Sequence, residues 1–172
     1  LISSNLERLL YLSTGCDAEQ TAKLMNQLGT EGHYTVTPEM KAKMADFCGG
    51  FATEAEDAAA IRELYDETGY VIDTHTGVAS AVYQQYKKNT GDETKTVIAS
   101  TASPYKFSRS VMEAISDEKL PEDEFAVIDE LCRVSGVEIP KAVEEIRNAQ
   151  IRHKLECDVQ DMKKTVAKIL GI

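Results

Sequence analysis

Thr94-Lys95-Thr96-Val97-Ile98-Ala99-Ser100 is the stretch that sets the fold class. Its centre, Val97-Ile98-Ala99, is a continuous apolar run between polar neighbours, the pattern of a strand buried on both faces of a parallel sheet. A buried strand must pair its backbone groups, since each one left unpaired costs about 1–3 kcal/mol. Nearby partners are short: Leu1-Ile2 and Tyr70-Val71-Ile72. The expected architecture is therefore α/β and predominantly helical, with about eight helices and a small remnant of a parallel sheet. The remaining strands are expected in polypeptide outside this sequence.

On either side of that strand the sequence reads as helix. Ser4 with Glu7 forms a capping pattern ahead of Leu6, Leu9, Leu10 and Leu12, and Asp17 with Gln20 does the same ahead of Leu24, Met25 and Leu28. Thr37-Pro38 starts a helix with Met40, Met44 and Phe47 on its buried side, stopped by Gly49-Gly50. Thr53 with Glu56 opens the next helix, which runs to Gly69. After Asp73-Thr74-His75-Thr76 comes a helix expected to turn Val78, Ala79, Val82 and Tyr86 inward and to end at Asn89-Thr90-Gly91. Beyond the strand, helices are predicted over 108–115, 122–135, 140–149 and 159–170.

Composition narrows the function classes. A chain of 172 residues with 42% hydrophobic and 28% charged residues can bury a core, and is not a disordered segment. Lys and Arg number 19 against 29 Asp and Glu, and the net charge of -10 repels nucleic acid and anionic membrane. No apolar run approaches the roughly 18 residues that span a bilayer. The start at Leu1, without an initiator Met or a signal-peptide pattern, fits a cut chain from a larger cytoplasmic enzyme. Cys16, Cys48, Cys132 and Cys157 are too scattered for metal-ligand spacing and read as reduced thiols. No Gly-rich phosphate fingerprint, nucleophile elbow or zinc signature occurs, and no metal is expected.

Three clusters carry side chains capable of chemistry. The densest, residues 100–109, joins the strand end to a helix N-terminus and holds Ser100, Thr101, Lys106 and Arg109. Ligands gather at the carboxyl ends of strands, and helix N-termini attract anions, so this loop suits a phosphate-bearing ligand. The plainer alternative is a strand-to-helix turn capped by Ser108. The second cluster is Asp73-Thr74-His75-Thr76. There His75 either faces a ligand or is a first-turn polar residue behind an Asp73 or Thr74 cap. In the third, Asn5 or Arg8 could bind a carboxylate or phosphate. His33 and His153 are expected at the surface. The acidic runs at 54–57 and 122–124 sit in helix first turns, where the dipole favours them.

Ser3-Ser4-Asn5-Leu6-Glu7-Arg8-Leu9-Leu10, Asp73-Thr74-His75-Thr76-Gly77-Val78-Ala79 and Ser100-Thr101-Ala102-Ser103-Pro104-Tyr105-Lys106-Phe107 together resemble the threonine synthase family. The similarity is to its C-terminal portion, and the third stretch is the most specific. The resemblance implies a pyridoxal-phosphate-dependent lyase of fold type II, acting in amino-acid biosynthesis on a small molecule. Its reaction converts O-phospho-L-homoserine and water to L-threonine and phosphate. By motif match, Thr101 faces the cofactor's ring nitrogen, with Ser100 as the alternative, and His75 lines the pocket near the ring. Lys106, Arg8 and Asn5 fall at the edge of the phosphate-binding region. The implied division is 1–115 as the end of the cofactor-binding large domain and 116–172 as a helical extension.

Two departures from the family pattern matter. Many relatives carry His-Pro-Ala-Lys-Phe where this sequence has Ser103-Pro104-Tyr105-Lys106-Phe107, so no role of that histidine transfers. The family's Schiff-base lysine and cofactor-phosphate loop belong to its upstream part, and neither motif occurs here. The chain by itself is therefore expected to bind no cofactor, to be inactive, and to self-associate through uncovered edges. The competing expectation is a free-standing helical interaction module or an anion-binding module.

Overall fold

The computed structural model describes residues 2–152 and 154–172. The chain forms two compact units, Leu1–Phe51 and Ala52–Ile172. Among the described residues there are nine α-helices and two short 3-10 turns, and no strand.

In the first unit, α1 (Ser4–Ser13) packs on α2 (Ala18–Glu31) and α3 (Pro38–Lys43). Ser3, not Ser4, caps α1 by accepting the Leu6 N–H. Asp17 and Thr37 cap α2 and α3 through Gln20 N–H and Met40 N–H. Leu10, Leu24 and Met40 form the small core. The third helix is shorter than its apolar spacing predicts: it stops at Lys43, and Phe47 is 62% exposed.

The second unit is built on α4 (Glu54–Thr68), α5 (Thr74–Thr90), α6 (Ser108–Ile115) and α7 (Glu124–Ser135), followed by α8 (Lys141–Arg147) and α9 (Met162–Leu170). The capping box of Thr53 and Glu56 opens α4, and Gly69, with φ of 72°, ends it. α4 packs against both α5 and α6, and α6 packs on α7. Val111, Met112, Val127 and Leu131 from α6 and α7 bury completely against Ile61 of α4. Arg62 of α4 donates to Ile115 O at 2.8 Å and to Asp117 Oδ1 at 2.6 Å, closing the C-terminal end of α6.

Helix α5 meets α4 on a different register from the predicted one. Thr76, Gly77 and Ala81 are its buried residues, while Val78 and Ala79 are exposed. Gly77 explains the choice: a Cβ there would lie 2.0 Å from Asp57 Oδ1 and 2.8 Å from Ile61 Cγ1. The two helices approach along this missing side chain, so small residues rather than apolar ones define the contact face.

The expected parallel-sheet remnant is not formed. Residues 94–100 carry no ladder among the described residues, and Val97 is 93% exposed. Local side chains take the backbone groups instead. Asp92 Oδ1 accepts Thr94 N–H at 2.9 Å, and the Thr96 hydroxyl donates to Thr94 O at 3.0 Å. A strand exists only as part of a ladder, whereas Asx and Thr turns are satisfied within a few residues. Of the suggested partner strands, Val71 and Ile72 enter the helical core as side chains without pairing their backbones. Leu1 of the other pair, like His153, lies outside the described residues.

Candidate functional site

Asp73 organises the site. It ends the short extended connection after Gly69 and is the N-cap of α5, with its Oδ1 accepting the His75 N–H at 2.8 Å. Its side chain is fully buried, and its other oxygen, Oδ2, accepts the Thr76 hydroxyl. Thr76 Oγ1 is also 3.0 Å from Ser100 Oγ. The first turn of α5 is thereby tied to the end of the extended segment, 24 residues later. Ser100 and Thr101 are exposed beside it.

The loop after Ser100 is held by two local hydrogen bonds and one long-range one. Ser103 caps the 3-10 turn Pro104–Phe107 by accepting Tyr105 N–H, and the Ser108 hydroxyl donates to Tyr105 O at 3.0 Å. The capping serine is therefore Ser103. Tyr105 itself is 6% exposed, and its hydroxyl donates to Val137 O beyond α7. Burial, reinforced by the neighbouring Cys132 thiol, pushes the Tyr105 phenol up to about 12. With Tyr105 inward, Phe107 turns toward α5. The Phe107 ring lies 5.1 Å from the His75 ring, and Lys106 Nζ is 5.4 Å from the Phe107 ring centroid.

The first turn of α5 is thus linked to Ser100 through Thr76 and to the Pro104–Phe107 turn through the His75–Phe107 ring contact, with Lys106 against Phe107. Arg109 is engaged elsewhere, donating to Glu124 Oε1 at 2.7 Å and to the carbonyls of Pro121 and Glu122. That pairing directs Arg109 toward α7 and the Pro121–Glu122 carbonyls. Asn5 and Arg8 lie in the first unit, on the exposed face of α1, where the Arg8 guanidinium donates to Asn5 Oδ1 at 2.5 Å.

An acidic recess of about 450 Å³ is lined by Glu54, Asp57 and Ile61 of α4, Thr74 of α5, and Ser110 and Glu113 of α6. Asp57 Oδ1 is buried there and has no hydrogen-bond partner among the described residues. Burial raises the Asp57 carboxyl above its ordinary value, the charge of Asp73 raises it further, and His75 opposes both. A carboxyl raised by folding favours the folded state most below its unfolded value, and that contribution is lost as pH rises through the folded value. Asp57→Asn removes the titration. Its stability relative to wild type should therefore be higher at about pH 7 than at about pH 3, read by urea unfolding at both.

Asp73 as buried anchor, Thr76 as bridge and Tyr105 as loop anchor were not identified from sequence. An Asp with a Thr three residues later, at a helix start, is the signal available for the first two.

Residues 76–154 match the family described as "Threonine synthase, C-terminal". Threonine synthase-like 1 of Homo sapiens is 33% identical over 123 residues, which is 71% of this chain and 16% of that protein. Threonine synthase of Schizosaccharomyces pombe is 34% identical over 128 residues, covering 67% of this chain and 25% of its own length. Among solved structures, the PLP-bound threonine synthase from Brucella melitensis superposes with a TM-score of 0.53 at 27% identity, over 80% of this chain and 28% of that one. The chain thus spans about a sixth to a quarter of the length of these curated relatives.

Proposed function

From a chain whose residues 76–154 belong to the threonine synthase C-terminal family, we propose a part in a pyridoxal-phosphate-dependent lyase that makes threonine. The intact protein converts O-phospho-L-homoserine and water to L-threonine and phosphate in the cytoplasm. This chain supplies residues along the edge of the cofactor site and does not catalyse the reaction by itself. The observation that carries the reading is the Thr76–Ser100 contact at 3.0 Å, which joins the two family-like stretches at one surface.

The residues present fit one side of a flat, nitrogen-containing cofactor. Hydroxyls suited to a ring nitrogen are offered by Thr101 and Ser100, and the His75 ring packs on Phe107. The cofactor supplies an electron sink when bound, and the protein's part is to hold and tune it. Thr101 is assigned to the ring nitrogen, with Ser100 as the alternative. His75 lines the pocket near the ring. Lys106 is assigned to the substrate phosphate, and in the first unit Asn5 and Arg8 are assigned to substrate binding. Residues 1–115 complete the large domain, and 116–172 extend it.

Two experiments test this reading. In the full-length protein, Thr101→Val should lower kcat by about ten- to a hundredfold, the scale of one lost hydrogen bond to a charged group. Ser103→Ala, which loses only the cap of the 3-10 turn, should stay within about threefold. Equal effects would remove Thr101 from the site. Threonine formation by residues 1–172 alone would contradict the proposed dependence on an upstream lysine.

A further inference from the structure

Helix α9 (Met162–Leu170) leaves its apolar side uncovered. Met162, Val166, Ile169 and Leu170 stand at i, i+4, i+7 and i+8, on about a third of the helix surface, and each is between 49% and 64% exposed. The helix packs on the 3-10 turn Val159–Asp161 that precedes it and has no buried residue. By the same spacing Lys163 and Lys168 flank the apolar stripe, one on each side, and Lys164 lies opposite it. None of the three lysines forms an ion pair among the described residues. Residues 162–172 hold no acid, and all 29 Asp and Glu of the chain precede Met162. Charges of the opposite sign stand unpaired elsewhere in the second unit. The recess between α4 and α6 is lined by Glu54, Asp57 and Glu113 together with the apolar Ala58, Ile61 and Ala114. No Lys or Arg pairs with these three acids among the described residues, and Asp57 Oδ1 has no hydrogen-bond partner.

We propose that α9 docks on the α4–α6 recess of a second copy of this chain, its apolar stripe on the apolar lining and Lys163 and Lys168 toward Glu54, Asp57 and Glu113. Charge decides among the candidate partners. Two α9 helices laid face to face would set the three lysines of one against the three of the other. An anionic membrane is opposed by the net charge of -10. The recess alone offers apolar lining and opposite charge together, the combination by which an amphipathic helix is held in a groove. Each copy carries one helix and one recess, so a two-fold axis fills both sites and closes the assembly at a dimer. This inference does not rest on the proposed function, since neither α9 nor the recess contains a residue assigned there to cofactor or substrate.

The test is sedimentation velocity of the full-length protein and two charge-reversed variants. Wild type should form a concentration-dependent dimer whose dissociation constant rises at least about fivefold from low to high salt. One variant combines Glu54→Lys with Glu113→Lys, and the other combines Lys163→Glu with Lys168→Glu. All four positions are exposed, so the fold is kept. Each variant alone should dimerise at least about tenfold more weakly than wild type, because its recess and its helix then carry the same sign. Mixed in equal amounts, the two should associate about as tightly as wild type, since each recess then meets an α9 of opposite charge. A wild type that stays monomeric overturns the proposal, whether α9 is then found against its own polypeptide or on vesicles of anionic phospholipid, which flotation of the same protein reads. A dimer that neither reversal weakens, or a mixture that does not recover, places the interface elsewhere and overturns it as well.

Discussion

Tyr105→Ala should cost the second unit about 3–5 kcal/mol, the range for deleting a buried aromatic side chain. Tyr105 is in the core with Val111, Met112 and Leu131, and its ring is what pins the turn after Ser100 to α7. Tyr105→Phe keeps the ring and loses only the hydroxyl bond to Val137 O, so its cost should be about 1 kcal/mol. Urea unfolding of the three proteins measures both steps. A pH scan separates them further. The phenol is raised to about 12 in the folded state, so the stability linked to it is complete below the ordinary tyrosine value and is lost as pH climbs toward 12. Wild type should therefore lose stability across that alkaline window, and Tyr105→Phe should lose less. Equal losses would remove the buried phenol as the cause. In Tyr105→Ala, hydrogen exchange should also quicken through residues 100–107, because nothing else in that loop is as deeply buried.

Gly77→Ala is expected to destabilise the α4–α5 pair by about 1–3 kcal/mol, an overpacking penalty despite alanine's better helix propensity. The added methyl would meet Asp57 Oδ1 at 2.0 Å and Ile61 Cγ1 at 2.8 Å. Asp57 lines the acidic recess, and Ile61 is fixed in the core. Asp57→Ala should relieve much of the clash, so the double substitution should cost less than the sum of the single ones. Thermal unfolding of the four variants closes that cycle. An increase in stability from Gly77→Ala alone would mean that the helices do not meet at this point.

The two changes act on different elements of the proposed site. One loosens the turn that carries Lys106 and Phe107, and the other displaces the helix that carries His75 and Thr76. Both should therefore impair cofactor retention in the full-length protein before global unfolding, which absorbance of the bound cofactor would follow during denaturation.

What could be read along the chain was whatever is settled within one or two helical turns. Asp17, Thr37 and the Thr53–Glu56 box cap the helices they were expected to cap, because a cap needs only the next three residues. The family likeness was legible too, since each of the three quoted stretches is a short continuous run. Pairing and packing with distant residues were not. Val97-Ile98-Ala99 has strand chemistry, yet a ladder requires a second backbone that the described residues do not bring to it. Val78 and Ala79 have the apolarity of a buried face, yet the gap at Gly77 turned α5 the other way. Arg109 looked like an anion ligand until the approach of Glu124 claimed it. Sequence alone located the helices and the family likeness. Which hydroxyl, ring and cation share a surface was decided by the contacts of α4, α5 and the Tyr105 turn, because the energy that places them comes from atoms far apart in the chain.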